Sequence, residues 1–431
     1  MANIDIHIME LGPVRDCEMM LAPVMLFTGK SNMGKSYVNF LAYYVYNLFS
    51  SHRLDSFITN KIPVDMDNAD KFTASIKTDD LRMWMEDDVK SFFQYLLSYK
   101  DIPCTIRFLF KDLPQKIELE YAEAEMPDSK NDADFYGATL SVNGQKRNIL
   151  MSRTYTKEFL LYDICRFLGE MVLGKRMQRS FLFPPGRASL LSGNYSTQYG
   201  SSRLGMYDVF LRDNDEINRD FMRKMPRLDK TDNSFFLEQV HNLINGRLNA
   251  EKDGISFVLD NGQSIPLDAA ASSVKELTPL LMWMQGQDIQ SQSVCIEEPE
   301  AHLHPEMQIA VANLLAACVN KGTCMQITTH SDYFMQRVNQ LLKLGCLRDK
   351  DEDAFKAFCR EHSNNVRYYL DRKHVKAYYF HAEDGSTKMQ LLEIGDEGIP
   401  MSTFFDAVDV LSQADVAIDD ELKKTDGSGN C

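Results

Sequence analysis

Short apolar runs and amphipathic segments alternate through the first fifty residues. Residues 3–10 and 15–21 have the period-two pattern of strands and are joined by a turn at Gly12-Pro13. Val24–Phe27 is a continuous apolar run, which is typical of a strand buried in a parallel sheet. The apolar-rich segment Tyr37–Phe49 predicts a helix. This order of elements predicts an α/β fold whose buried strand leads directly into a helix.

The rest of the chain has weaker but still interpretable patterns. Loops and helices are predicted over 51–100, chiefly a helix at 80–99. The run 122–134 is polar and predicts a surface loop, 192–230 has no clear pattern, and the tail after Glu421 is expected to fray. The other predicted strands are 104–110, 117–121, 138–142, 146–150, 180–183, 255–260, 264–267, 293–296, 324–328, 376–381 and 388–394, and the other predicted helices are 156–174, 233–248 and about 272–284.

A glycine-containing loop lies between the buried strand and the first helix. Its sequence, GKSNMGKS, fits the P-loop pattern, with a strand before it and a helix after it as that motif requires. The backbone N–H groups of such a loop and the helix N-terminus can bind phosphate. Lys35 can reach the β- and γ-phosphates of ATP, and the Ser36 hydroxyl can bind Mg²⁺. The predicted nucleotide-binding residues of this loop are Gly29, Lys30, Ser31, Asn32, Met33, Gly34, Lys35 and Ser36.

Two adjacent acids end the predicted strand 293–296. Glu297 and Glu298 follow the apolar run and precede Pro299, which is the Walker B arrangement. Glu297 is predicted to lie near the magnesium, and Glu298 to orient and polarise the attacking water as the catalytic residue. The first acid of this pair is usually Asp. The longer Glu leaves open whether Glu297 contacts the metal shell in the same way.

Two further segments could contact the phosphates. Ser272 and Ser273 begin a predicted helix, and a serine-bearing helix N-terminus is an anion site that could hold the γ-phosphate of nucleotide bound by a second copy. His330 follows the strand 324–328 and could hydrogen-bond the γ-phosphate. Taken alone, a histidine at a strand end is more often structural, and a serine-bearing helix start is more often only a cap. Their order along the chain, after the P-loop and around the twin acids, favours the functional interpretation.

Charge and cysteine usage restrict the partners and the cellular compartment that are expected for this protein. The 431 residues include 62 acidic and 47 basic ones, a net charge of −15, which disfavours nucleic acid over most of the surface and restricts any such contact to a local basic patch. Nine single cysteines without a CxxC pair are typical of a reducing compartment. No apolar run approaches 18 residues, and the N-terminus has the pattern of a strand rather than a signal peptide. A cytoplasmic protein without a membrane partner is expected.

These motifs resemble the ABC-type ATPases of the RecF, SMC and overcoming-lysogenization-defect group. The segments that carry the resemblance are 29–36, 271–277, 296–305 and 327–333. The resemblance implies a P-loop NTPase fold with an ABC/SMC-head-like mixed sheet, helices on both faces and an inserted α/β arm or lid. It implies the signature-motif role for Ser272 and Ser273, the D-loop role for Glu300–His304 and the switch-histidine role for His330. It differs at Val274 and Lys275, where the group ordinarily has glycines, and it places Arg187 in a recurrent P-x-x-R element.

The resemblance also implies a function and a division of the chain. We expect a Mg²⁺-dependent ATPase that dimerises head-to-head around ATP and controls a separately encoded nuclease or toxin in anti-phage defence. A RecF-like ATPase that binds DNA or DNA ends and a slow ATP-binding scaffold are the alternatives. The expected parts are an ATPase core (1–50 and 175–345, with a helical arm within about 192–250), an insertion (51–174) and a C-terminal α/β subdomain with a polar tail (346–431).

Two other patterns are given less weight. His302 and His304 could share one face of a strand, but no third ligand accompanies them, so a metal site is not favoured. Glu383 could mimic the first acid of a Toprim nuclease, a domain found in overcoming-lysogenization-defect proteins. The 48 residues after Glu383 contain no strand ending in Asp-x-Asp. A hairpin that turns at Asp384-Gly385 is the preferred interpretation.

Overall fold

The structure is a computed structural model that describes residues 2–124, 134–191, 204–224, 234–251 and 254–427. The strands are β1 (Ile4–Leu11), β2 (Val14–Met20), β3 (Val24–Gly29), β4 (Lys71–Lys77), β5 (Cys104–Phe110), β6 (Lys116–Ala124), β7 (Phe135–Val142), β8 (Gln145–Ser152), β9 (Arg179–Phe183), β10 (Gly246–Glu251), β11 (Gly254–Leu259), β12 (Ser264–Pro266), β13 (Gln292–Glu297), β14 (Cys324–Thr328), β15 (Val375–Glu383) and β16 (Ser386–Leu392). The helices are α1 (Lys35–Leu48), α2 (Asp55–Lys61), α3 (Thr78–Leu96), α4 (Thr156–Leu173), α5 (Arg187–Leu191), α6 (Gly205–Lys224), α7 (Ser234–Ile244), α8 (Ser272–Gly286), α9 (Pro305–Asn320), α10 (Asp332–Lys350), α11 (Glu352–Glu361) and α12 (Ser402–Gly427).

A mixed sheet of nine strands forms the centre of the fold. Its order is β5-β1-β2-β16-β15-β3-β14-β13-β9. The strands β15, β3, β14, β13 and β9 pair in parallel, whereas β5, β1 and β2 pair antiparallel. The buried strand predicted at Val24–Phe27 is therefore in the parallel half of the sheet, with a neighbour on each side.

Helices cover both faces of this sheet. Successive residues of a strand point to opposite faces, and in β3 Met25 and Phe27 pack in the core that contains α1. Val24 and Leu26 pack in a second core, which contains α8, α9 and α10. All four side chains are buried, which explains why β3 is apolar without alternation. The predicted P-loop NTPase fold with a mixed sheet and helices on both faces is confirmed.

Two smaller sheets accompany the central one. The four strands β4-β6-β7-β8 form an antiparallel sheet within the segment between α1 and β9. The hairpin of β7 and β8 turns at Asn143-Gly144, where both residues have positive φ, as predicted from the Asn-Gly pair. The strands β10-β11-β12 form a three-stranded sheet before α8.

Several segments differ from the sequence prediction. Strand β4 lies within 51–100, where only loops and helices are predicted, because its alternation of buried Phe72, Ala74 and Ile76 with exposed residues spans only seven positions. The helix predicted at 233–248 ends at Ile244, because Asn245 has a φ of 50° and breaks it before β10. Strand β6 continues to Ala124, into the predicted loop, and 125–133 lies outside the described residues.

The segment without a clear pattern and the tail also contain helices. Helix α6 lies in the region 192–230, of which 192–203 and 225–230 are outside the described residues. Helix α12 continues through the tail to Gly427, beyond the predicted start of the tail at Glu421. No proline interrupts residues 402–427, so the helix can continue past Glu421 into the polar tail.

The C-terminal segment reaches the middle of the molecule. The hairpin of β15 and β16 turns at Asp384 and Gly385, as predicted, and β15 pairs in parallel with β3 from Val375–Val24 to Phe380–Gly29. The predicted C-terminal subdomain therefore shares a sheet with the P-loop strand. Among the described helices, none combines the length and the apolar character needed to cross a bilayer.

Candidate functional site

The loop between β3 and α1 contains three residues with positive φ. Gly29 has a φ of 130°, and a Cβ at this position would overlap the Phe380 carbonyl of β15. Gly34 has a φ of 80° and lies against Pro13 and Val14, so a side chain there would also be obstructed. Asn32 is left-handed as well, with a φ of 63°. The two motif glycines are therefore dictated by the fold as well as by the ligand that the motif predicts.

The side chain of Lys35 bridges the start of this loop. Its Nζ donates hydrogen bonds to the carbonyl oxygens of Lys30 at 2.8 Å and Gly29 at 3.1 Å. Burial lowers the pKa of Lys35 to about 8, against the opposing effect of Glu298 and Glu297. The ammonium group is therefore held at the rim of the loop, and an incoming polyphosphate would offer it stronger acceptors than two neutral carbonyls.

Glu297 joins the two predicted motifs directly. The Ser36 hydroxyl donates to Glu297 Oε2 at 2.5 Å, and Asn39 Nδ2 donates to Oε1 at 2.6 Å. Burial raises the pKa of the Glu297 carboxyl, and these two hydrogen bonds oppose the rise. The longer side chain of Glu at this position reaches the P-loop serine without an intermediary, although the two residues are 261 positions apart.

Glu298 leaves the end of β13 in a different direction. Its φ is 44°, and its backbone N–H donates to the Thr328 carbonyl at 3.1 Å. The left-handed backbone turns the side chain out of the strand, so that it is 45% exposed while Glu297 is buried. The two adjacent acids thus lie in distinct environments, Glu297 against Ser36 and Glu298 open to the cavity.

His330 is held opposite Glu298 by a third acid. Buried Glu300 accepts hydrogen bonds through Oε1 from the Thr329 hydroxyl at 2.7 Å and from the His330 backbone N–H at 2.8 Å. His330 Nε2 lies 3.7 Å from Glu298 Oε1. Burial and the charge of Lys35 lower the pKa of His330, which favours the neutral ring, and a neutral imidazole can donate one hydrogen bond.

These side chains line one cavity of about 610 Å³. It is bounded by the P-loop, the ends of β13 and β14, and the starts of α1 and α6. Its lining residues are Pro13, Ser31, Asn32, Met33, Gly34, Lys35, Ser36, Tyr37, Phe40, Leu97, Pro185, Met206, Glu297, Glu298, Thr328 and His330. Six of the eight predicted P-loop residues are among them, together with both acids and the histidine.

Four predicted nucleotide-binding residues do not line this cavity. Gly29 and Lys30 lie beneath it and contribute the carbonyl oxygens that accept from Lys35. Ser272 is exposed and Ser273 is partly exposed at the N-terminus of α8. The structure therefore does not bring the two serines to the cavity of their own chain. His302 and His304 are both exposed, and His302 has a φ of 60°.

The cavity offers oxygen ligands of the kind that Mg²⁺ prefers. The Ser36 hydroxyl and the Glu297 carboxylate are adjacent hard oxygen donors, which suit Mg²⁺ better than a softer transition metal. Lys35 provides the only lysine ammonium among the described residues that line the cavity. The residues present therefore fit a magnesium-bound polyphosphate.

Arg187 contacts the backbone at the end of β13, outside the cavity lining. Its guanidinium is fully buried and donates to the Glu297 carbonyl at 2.8 Å and to the Glu276 carbonyl at 3.0 Å, and it forms an ion pair with the Glu276 carboxylate at 3.3 Å. The carboxylate of Glu276 also accepts from the Ala188 N–H at 3.1 Å. Arg187 therefore connects the end of β13 to α8, the helix that begins with the two serines.

Removal of this buried cation is expected to destabilise the fold. We expect Arg187→Met to lower the free energy of unfolding by about 3–5 kcal/mol, because Glu276 would remain buried without its partner. Urea denaturation of the variant and the parent measures the loss. The matched control is Arg82→Met, whose ion pairs with Asp79 and Glu86 are more exposed and should contribute less than about 1 kcal/mol. Equal losses in the two variants would contradict this assignment.

Some of the residues that support the site lie outside the predicted motifs. Asn39 lies three positions after Ser36 on α1, so the helical period places both on one face, and this spacing could have revealed it. Glu276 gave no such signal, because it is one acid among many in the sequence and only its burial beside Arg187 distinguishes it. Thr328, at the end of β14, could have been found as the residue that precedes the predicted Thr-His-Ser segment.

Comparison with known proteins provides one family match. Residues 202–335 match the family described as AAA ATPase domain. The matched segment includes Glu297, Glu298 and His330, and it begins after the P-loop. A comparison with curated proteins found no match.

The solved structures that resemble the chain include three SMC head domains. An SMC head bound to the C-winged helix domain of ScpA is 14% identical with a TM-score of 0.38, over 90% of this chain and 97% of that one. The SMC head domain from Thermotoga maritima is 10% identical with a TM-score of 0.34, over 90% and 98%. The Pyrococcus furiosus head, with an extended coiled coil and bound to the C-terminal domain of ScpA, is 12% identical with a TM-score of 0.39, over 96% and 100%. The family match, together with the geometry of the cavity, supports a P-loop ATPase.

Proposed function

We propose that this chain binds ATP with Mg²⁺ in the cavity between the P-loop and the twin acids and hydrolyses it to ADP and phosphate. The observation that carries the proposal is the convergence of Lys35 and Glu298, which are distant in sequence, on one cavity. The other predicted residues that line the same cavity are Glu297, His330 and the rest of the P-loop segment Ser31–Ser36, and all belong to the same predicted ATP site. The reaction is therefore the turnover of ATP itself, which suits a switch rather than a metabolic enzyme.

Each side chain has a defined part in this reaction. The P-loop N–H groups and Lys35 would hold the phosphates, and Lys35 would exchange its two carbonyl acceptors for phosphate oxygens. Ser36 and Glu297 would hold the magnesium, which offsets the charge of the phosphates. Glu298 would orient a water molecule and accept its proton, and neutral His330 would donate a hydrogen bond to the γ-phosphate.

A second copy of the chain would complete each site. Ser272 and Ser273 are displayed at the N-terminus of α8, away from the cavity of their own chain, so they are available to a nucleotide held by a partner. An arrangement with two-fold symmetry would enclose two ATP molecules between two heads. Hydrolysis would remove the γ-phosphate that links the copies and release them.

The output of this switch would be a separately encoded effector. We propose a nuclease or toxin as the effector and anti-phage defence as the setting, which is what the resemblance of segments 29–36, 271–277, 296–305 and 327–333 implies. The association and release of two heads would then present or conceal the surface that the effector binds. Purification of the native protein with its bound partners identifies the effector.

Complementation between two inactive variants tests the shared site. Lys35→Ala removes the phosphate contact of one copy, and Ser273→Arg blocks the contact that the partner provides. We expect each variant alone to be inactive. An equal mixture should regain about a quarter of the parent turnover, because half of the pairs are mixed and each mixed pair has one intact site.

The control places the same charge elsewhere. Gln263→Arg changes an exposed residue at the turn before β12 and should leave ATP turnover at the parent rate. Parent activity in Ser273→Arg would show that Ser273 does not contact the nucleotide. An inactive mixture would show that hydrolysis does not need a partner's α8.

A further inference from the structure

Helix α12 displays large aliphatic side chains to solvent. Val410, Leu411, Val416, Ile418 and Leu422 are 66%, 66%, 61%, 56% and 57% exposed. Leu411, Ile418 and Leu422 are seven and four residues apart, so they follow one side of the helix over three turns. A row of exposed aliphatic side chains of this kind is typical of a helix that contacts another protein surface.

The same part of α12 is strongly acidic. Between Val410 and Leu422 the sequence contains Asp415, Asp419, Asp420 and Glu421 and no lysine or arginine. The whole chain has a net charge of −15, so most of the surface of another copy would repel this helix. A surface that combines cations with exposed apolar area would therefore complement this part of α12.

Such a surface exists on the same chain, in a cleft between helices. We call it the basic cleft. It has a volume of about 540 Å³ and is formed by α7, α9, α10, α11 and the segment 366–369. Its lining residues are Phe235, Phe236, Ala317, Asn320, Lys321, Arg348, Glu352, Phe355, Lys356, Val366, Arg367 and Tyr369. They include four cations and one carboxylate.

The cations of the basic cleft are arranged around apolar groups. The guanidinium of Arg348 lies 4.5 Å from the centre of the Tyr369 ring, and that of Arg367 lies 4.4 Å from the centre of the Phe235 ring. Val366, at the rim, is 51% exposed. Stacking on the rings fixes the direction of both arginines, and Val366 offers exposed apolar area beside them.

We propose that α12 of one copy docks in the basic cleft of a second copy. Charge complementarity favours this occupant, because acidic residues flank the apolar stripe as cations flank the apolar floor of the cleft. Pairing of α12 with another α12 is disfavoured, because Asp415 lies within the stripe, one turn after Leu411, and each helix adds four acids between Val410 and Leu422. The helix of one copy contacts the cleft of another, so two copies that exchange helices form a closed two-fold dimer, and copies that do not exchange them form a heterologous, head-to-tail chain.

This association goes beyond the proposed ATP-dependent pairing of heads. It uses surfaces that do not line the nucleotide cavity, so it should form in the absence of nucleotide. It should also weaken with added salt, since its specificity comes from charge. A heterologous contact that does not close into a ring continues to larger assemblies.

Sedimentation velocity of the full chain without nucleotide tests the proposal. We expect the parent to form concentration-dependent oligomers. The helix variant Leu411→Ser/Ile418→Ser and the cleft variant Arg348→Glu/Arg367→Glu should each weaken association at least about 10-fold and sediment as monomers. A mixture of the two should form a one-to-one complex and nothing larger, because one intact helix then meets one intact cleft.

Matched controls separate docking from general effects. Leu109→Ser/Leu150→Ser removes two aliphatic side chains that are 55% and 50% exposed elsewhere, and it should associate like the parent. An unchanged thermal unfolding midpoint shows that each variant is folded. Adding Asp419→Lys/Asp420→Lys on one copy should restore its binding to the cleft variant.

Other results would overturn the proposal. If the parent stays monomeric without nucleotide at every concentration, the contact between α12 and the basic cleft does not exist. Loss of association in the helix variant alone, with a normal cleft variant, would mean that α12 binds a different surface or another α12. A one-to-one mixture that remains monomeric would exclude the heterologous arrangement, and none of these outcomes bears on ATP hydrolysis.

Discussion

Replacing Glu298 with glutamine is expected to lower ATP turnover at least about 100-fold, because an amide cannot accept the proton of the attacking water. The Glu298 carboxylate is 45% exposed, lines the cavity and lies 3.7 Å from His330, so it can reach a water beside the γ-phosphate. ATP binding should remain within a few-fold of the parent, since the substitution removes a negative charge near the phosphates. Steady-state phosphate release and titration calorimetry measure the two quantities separately.

Glu306→Gln is the matched control for this substitution. Glu306 is exposed in the first turn of α9, in the segment that follows the twin acids, and does not line the cavity. Its variant should hydrolyse ATP at the parent rate. Unchanged turnover in Glu298→Gln would show that another group is the base, and a parent that binds ATP without hydrolysing it would favour the scaffold alternative.

Replacing Lys35 with alanine is expected to weaken ATP binding about 100-fold and abolish turnover with it. A hydrogen bond between charged groups contributes about 1.5–3 kcal/mol, and Lys35 is the only lysine among the described residues that line the cavity. Calorimetry measures the dissociation constant. The control Lys343→Ala removes an exposed lysine that pairs with Glu397 and should bind ATP like the parent. Undiminished affinity in Lys35→Ala would contradict the phosphate-binding role of the loop.

The pKa of Lys35 adds a pH signature to the same prediction. Burial lowers this pKa to about 8 in the absence of nucleotide, whereas bound phosphate would favour the charged form. Above pH 8 the free protein must therefore take up a proton to bind ATP. The dissociation constant of the parent should then rise with pH, by up to about tenfold per unit. Lys35→Ala should lack this slope, and a slope of equal size in both proteins would assign it to another group.

Local patterns were sufficient to predict most of the fold. The strand before the P-loop and the helix after it follow from one apolar run and one amphipathic segment. The pairs Asn143-Gly144 and Asp384-Gly385 correctly predicted the turns of two hairpins, because these residue types tolerate positive φ. Failures occurred where a short element had to be found without such a signal. Strand β4 spans only seven residues, and β10 begins directly after a helix, separated from it by Asn245.

Pairing between distant strands could not be predicted in the same way. Nothing in the sequence of 376–381 indicates that it lies beside β3, since parallel partners are chosen by the packing of the whole sheet. The residues of the site likewise include some that a local motif predicts and some that only packing reveals. The P-loop, both acids and His330 follow from motifs, whereas Asn39, Glu276 and the contact of Arg187 with the Glu297 carbonyl depend on burial and distance.

The position of β3 between β14 and β15 determines when a nascent chain can first hold nucleotide. The ribosome produces the P-loop strand among the first thirty residues, but its two neighbours are translated only as residues 324–328 and 375–383. Until both have emerged, this apolar strand has open edges and the glycine loop has no support from Phe380. Nucleotide bound at the proposed site would therefore assist only the last stage of co-translational folding, because unfinished chains that already carry the complete loop lack the two strands that flank β3.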